Sequence, residues 1–133
     1  MRKDITLPEV TDVAVAVIPR QDAGEDLWDT YLINLRDESL ENILITSQGY
    51  GSVEGVDKTT TVLRHFHQTL GAGESIKIEP IQPTLFGITN EYWVSFNSNG
   101  QMLDKRYVFK ANTISREGLT EVPVVERPGI VLQ

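Results

Sequence analysis

Cysteine is absent from the 133 residues, so neither a structural disulfide nor thiolate chemistry is open to this chain. Long apolar runs are missing as well. Nothing approaches the ~20 consecutive apolar residues of a membrane-spanning helix. The first ten residues, MRKDITLPEV, lack the apolar stretch of a secretory signal, and Met1 reads as a native start. Positive charge is scarce: 12 Lys and Arg stand against 19 Asp and Glu, a net charge of −7. That balance argues against a nucleic acid or an anionic membrane as partner. The deficit lies in one half of the chain. Residues 1–61 carry 12 acids and 5 bases, whereas residues 62–133 carry 7 of each. Also absent are a G-x-S-x-G elbow, the Gly-Lys-Ser/Thr end of a phosphate-binding loop and the ordered acids of an EF-hand. The expectation is therefore a chain with no catalytic residues and no cofactor, at home in the reducing cytoplasm.

What is present is period-2 patterning. Val13, Val15 and Val17 alternate with Ala14, Ala16 and Ile18, an all-apolar run expected of a strand buried on both faces. Trp28 to Arg36 alternates again, Arg36 to Asn42 reads as a polar connection, and Ile43 to Thr46 as a short strand. Gly49 to Lys58, with three glycines, reads as the longest loop. Thr59 to Leu70 reads as a strand because of its triple threonine. Ser75 to Ile81 alternates, and Ile81-Gln82-Pro83 forms a corner. From about residue 114 the chain reads as a tail, whose Pro123, Pro128 and Gly129 allow an edge strand at most.

Such spacing points to one all-β domain over residues 1–133, an antiparallel sandwich of about seven to eight strands. YLINLRDESLENILI followed by TLGAGESIKIEPI resembles the rhythm of immunoglobulin-like domains of bacterial proteins. There a strand ends in a polar turn, and a glycine-flanked acidic turn precedes a short alternating strand. The resemblance implies an immunoglobulin-like sandwich. The Cys…Trp…Cys spacing of true immunoglobulin domains is missing.

The sharpest local signal is the segment EYWVSFN-SNGQ-MLDKRYVF. Asn99-Gly100 favours a two-residue type I′ turn, because both positions tolerate positive φ. Opposite residues then pair Phe96 with Leu103, Val94 with Lys105 and Tyr92 with Tyr107 on a core face, with Lys105 snorkelling at its margin. Trp93 and Arg106 fall opposite each other on the other face. An exposed Trp beside Arg, with the guanidinium stacked on the indole, is the composition of an interaction hot spot. Trp93 and Arg106 are therefore the candidate contact residues.

Two further constellations compete with plainer readings. His65 and His67 would share a strand face, and with Glu74 they resemble the cupin pattern of paired histidines and a nearby glutamate around a metal. The cupin site needs another histidine, and this chain has only two. The expectation is no metal, with both imidazoles on a solvated face. Asp22, Glu25, Asp26 and Asp29 could suit calcium but read better as a solvated charge run. Gly49-Tyr50-Gly51-Ser52 could cradle a phosphate but reads better as an inter-strand loop.

These readings suggest a non-catalytic binding or structural module acting through a sheet face, an edge strand or loops, with a protein partner. The alternative is a cupin-like metal- or small-molecule-binding barrel, an enzyme or not, with His65, His67 and Glu74 as metal ligands. Self-association as a dimer is expected as a cover for open sheet edges, with the tail VPVVERPGIVLQ lying across a neighbour.

Overall fold

The computed structural model describes residues 9–21 and 26–133. It is all-β, with two antiparallel sheets facing each other and only short 3₁₀ turns at Pro83–Leu85 and Arg116–Gly118. Ten strands follow in order: β1 (Val13–Pro19), β2 (Trp28–Asn34), β3 (Leu40–Val53), β4 (Val56–Thr59), β5 (Leu63–Leu70), β6 (Ser75–Ile81), β7 (Thr89–Ser98), β8 (Gln101–Phe109), β9 (Thr120–Val122) and β10 (Arg127–Leu132). One sheet has the order β6-β2-β1-β10-β9. The other runs β4-β3-β7-β8, with β5 also paired to β3. No helix among the described residues is long and apolar enough to cross a membrane.

The sandwich therefore has more strands than the seven or eight expected. Part of the difference is the segment read as the longest loop, which is instead a hairpin of β3 and β4. Its two-residue turn is Glu54-Gly55, at φ of 52° and 78°, closed by the pair Val53–Val56. Gly55 serves this turn, and the other two glycines that suggested a loop serve packing. A Cβ on Gly49 would come within 3.0 Å of Ile88 and Thr60, and one on Gly51 within 3.2 Å of Ile88. The last part of the polar connection before Ile43, Leu40 to Asn42, belongs to the strand, because β3 starts at Leu40, whereas residues 36–39 do connect β2 to β3. A bulge between Glu41 and Leu44, with Asn42 at φ 50°, lets polar residues enter the ladder.

The segment after residue 114 is likewise no appendage. β10 is an interior strand between β1 and β9, pairing Val15 with Leu132 and Val17 with Ile130. Pro128 is tolerated because it lies beyond the β1 ladder and opposes only Glu121 of β9. Gly129 is needed there. An added Cβ would meet Ile18, Val122 and the Val17 carbonyl, each at 2.8 Å.

β1 is buried at every residue, as its composition requires. Val13, Val15 and Val17 face the main core with Leu32, Ile43, Ile45, Val94, Phe96 and Phe109. Ala14, Ala16 and Ile18 pack on the opposite face with Ile33 and Val122, partly covered by Tyr31 and Val131. Full burial of such side chains contributes about 1.5–3 kcal/mol each for the larger ones. Trp28 closes one end of the core, edge-on to Phe86 at 5.1 Å.

Candidate functional site

The Asn-Gly hairpin positions the candidate contact residues as the sequence requires. Asn99 and Gly100 sit at φ 52° and 74°, and the ladder pairs Phe96 with Leu103, Val94 with Lys105, Tyr92 with Tyr107 and Trp93 with Arg106. The first face is core. Lys105 crosses its margin, 5.3 Å from the Tyr107 ring, to donate to the Val10 carbonyl at 3.1 Å. Tyr107 itself is buried, and burial pushes its phenol well above the usual range. Its hydroxyl donates to the Val13 carbonyl, tying the two sheets together.

Trp93 is 44% exposed on the other face. Arg106 does not stack on it. Its Nε lies 3.4 Å from Glu91 Oε1, and the cation–π contacts among the described residues are Lys105 with Tyr107 and Arg116 with Trp28. Glu91 also accepts from the Tyr50 hydroxyl at 3.0 Å. Partial burial and then this bond raise the Tyr50 phenol above its ordinary pKa.

The pairing of β3 with β5 and β7 extends this face beyond what the hairpin shows. Thr46 opposes Trp93 on one side and Arg64 on the other, and the next row places Phe66 opposite Leu44. Phe66 is 64% and Leu44 41% exposed. An aromatic, an aliphatic and an indole thus adjoin on the outside of the sheet, with Arg64 and Arg106 at either end of the Trp93 row. Sequence reasoning missed Phe66 and Leu44. The alternation of β5 sets Phe66 apart from its flanking histidines, but the strand it faces becomes visible only with the sheet formed.

His65 and His67 lie on β5 as neighbours on one face, turned towards the other sheet and partly buried rather than solvated. Glu74 is not with them. Its Oε1 accepts from the Gly71 backbone N–H at 2.7 Å and closes the β5–β6 turn. No group of three or more His, Asp and Glu side chains among the described residues is placed to hold a metal. The acid that does meet His65 is Glu79 of β6, at 2.6 Å. Glu79 also accepts from Ser47 Oγ at 2.9 and 3.2 Å and from the Tyr92 hydroxyl at 3.1 Å. Burial and then the charge of Glu79 push the Tyr92 phenol far above its usual range. Burial, followed by the charge of His65, lowers His67, whose Nε2 is buried with no hydrogen-bond partner.

A cleft of about 290 Å³ opens beside this cluster, where residues 60–62 leave the sheet, with Gly49, Leu63 and Leu85 in its walls. The Ser47 hydroxyl is hydrogen-bonded to a carboxylate and not to an imidazole. That bond anchors the hydroxyl, and the Ser–His pair of a nucleophilic triad is not formed.

The remaining sequence candidates disperse. Asp22 and Glu25 lie outside the described residues. Asp26 pairs with Arg116 at 3.1 Å, whereas Asp29 is buried against Arg20. Gly49-Tyr50-Gly51-Ser52 is strand, with its backbone committed to the ladders of β4 and β7, and forms no phosphate cradle. No family model matches the chain, and no curated protein is detectably similar to it in sequence.

Proposed function

We propose that this protein is a non-catalytic binding module that engages a protein partner through the outer face of the β5-β3-β7-β8 layer. The observation that carries the proposal is the exposed group Phe66, Leu44 and Trp93 in adjacent rows of one sheet face, flanked by two arginines. Isolated apolar residues are ordinary on a protein surface, but contiguous aromatic ones with arginine mark contact sites. Arg106 is already paired with Glu91, whereas Arg64 is exposed and makes no ion pair with a described residue. The complementary partner presents apolar side chains with a carboxylate placed for Arg64. The net charge of −7 favours such a partner over nucleic acid or a membrane surface.

The immunoglobulin-like character of the sandwich and a cytoplasmic setting belong to this same proposal. Two antiparallel sheets over a shared core support the first, and the absence of cysteine supports the second.

The test is a photo-crosslinking residue at position 66 of the full chain in its native cell. A captured protein that binds the purified chain, and binds Trp93→Ala at least about tenfold more weakly, supports the proposal. Adducts with a second copy alone, or none, would overturn the choice of partner.

A further inference from the structure

The sheet order β6-β2-β1-β10 collects positive charge at one end of the face turned away from the main core. Lys77 comes from β6, Tyr31 and Asp29 from β2, Arg20 from just after β1 and Arg127 from the start of β10. With Gln21 they line a cleft of about 430 Å³. Among the described residues, three cations here face one carboxylate, in a chain whose net charge is −7.

That carboxylate is already committed. Asp29 is buried and takes both Arg20 Nε at 2.8 Å and Arg20 Nη2 at 2.9 Å, a bidentate pair. Lys77 stands further off, at 3.5 Å from Asp29 Oδ2, and is 51% exposed. Burial alone would raise the Asp29 carboxyl, but the Arg20 bonds and the Lys77 charge outweigh it and hold the group below its ordinary range.

Among the described residues, Arg127 is the cation of this cleft whose acceptors are all neutral. Its Nη2 donates to the Pro19 carbonyl at 2.9 Å and its Nη1 to the Tyr31 hydroxyl at 3.4 Å. Its Nε is buried with no hydrogen-bond partner, and it makes no ion pair with a described residue. A partly buried guanidinium without a counter-ion carries an electrostatic cost, which an anion in the adjoining cleft would offset.

We propose that this cleft binds a small-molecule oxyanion, a carboxylate or phosphate group, held between Lys77 and Arg127 beside the Tyr31 hydroxyl. Arg20, fixed by Asp29, shapes the wall and adds charge. The site lies on the opposite sheet from Trp93, so it stands or falls separately from the protein-binding face.

The experiment is an amide NMR titration of the full ¹⁵N-labelled chain with phenyl phosphate, with citrate, and with sodium chloride at matched ionic strength. Saturable shifts clustered around residues 20, 31, 77 and 127 are expected with one or both oxyanions and not with chloride. The anion that saturates at lower concentration names the ligand's source. Arg127→Gln and Lys77→Gln should each weaken the binding roughly tenfold, as loss of a charge-assisted hydrogen bond does. Lys77 is half-exposed and supports no core packing, so Lys77→Gln keeps the test valid should Arg127→Gln fail to fold. Shifts that rise without saturation, that chloride reproduces, or that Lys77→Gln leaves unchanged would overturn the proposal.

Discussion

His65 Nε2 lies 2.6 Å from Glu79 Oε1, and this contact joins an edge strand of one sheet, β5, to an edge strand of the other, β6. The Glu79 side chain is 12% exposed and receives Ser47 and Tyr92 as well, so one carboxylate gathers donors from β3, β5 and β7. At the open rim of a sandwich, where no ladder links the layers, such a carboxylate acts as a cross-layer tie.

Replacing Glu79 by Ala should therefore cost about 2–3 kcal/mol, since the buried Tyr92 hydroxyl and the Ser47 hydroxyl both lose their acceptor. His65→Ala should cost about 1 kcal/mol or less, because the imidazole is more exposed and the pair is partly screened. Urea unfolding of both variants checks the order. Equal losses would remove Glu79 from its central place.

Stability should fall on mild acidification through His67. Its folded pKa is lowered from the ordinary 6.5, so just below that pH the unfolded chain holds more proton at this ring than the folded one. The contribution is complete above 6.5 and diminishes as pH drops beneath it. Urea midpoints at pH 7.5 and 5.5 should diverge more for the native chain than for His67→Gln. Asp29, held below its ordinary 3.8, acts in a separate and more acidic window.

Gly129→Ala should be among the most damaging single-methyl changes in this protein. The new Cβ would meet the Val17 carbonyl and two core side chains at 2.8 Å, and backbone at that distance cannot step aside cheaply. A loss of about 3 kcal/mol is expected. Gly55→Ala meets nothing within 4 Å, so it should cost only about 1–2 kcal/mol for its positive φ. Thermal melts of the two variants separate crowding from backbone strain.

In a Trp28→Phe background, Trp93 emission should be red-shifted and quenched readily by acrylamide. The motivating contrast is 2% exposure for Trp28 against 44% for Trp93. A blue-shifted, protected signal from the isolated chain would mean that another surface already covers this face.

Much of the fold was legible wherever a local rule decided the structure. The burial of β1 follows from six consecutive apolar residues, and the β7–β8 register follows from the positive φ that Asn99 and Gly100 accept. These local signals alone place Trp93 and Arg106 opposite each other. They could not show where the guanidinium would point. Glu91 is two residues from Trp93 on the same face, and an exposed ion pair and an exposed cation–π contact are of similar strength, so the local pattern does not rank them and the folded geometry gives the guanidinium to Glu91.

Other elements depended on partners far away in the chain. Gly49, Gly51 and Gly129 look like breakers in isolation, yet each occupies a strand where a Cβ would crowd a neighbour, tightly against Ile88 at Gly49 and Gly51 and against backbone at Gly129. Pro128 likewise suggested an edge, but β10 enters the sheet interior because the β1 ladder begins only beyond it. The same holds for charge. Lys77 and Arg127 are 50 residues apart and meet only through the order β6-β2-β1-β10, while His65 finds Glu79 only when the two layers close. By itself the sequence determined an all-β chain, its two-faced central strand and one hairpin register, because turn dihedrals and side-chain alternation are properties of neighbouring residues. Tertiary structure alone decided the strand count, the interior place of the last strand and every cluster of charge, because strand order and layer closure set which distant side chains share a space.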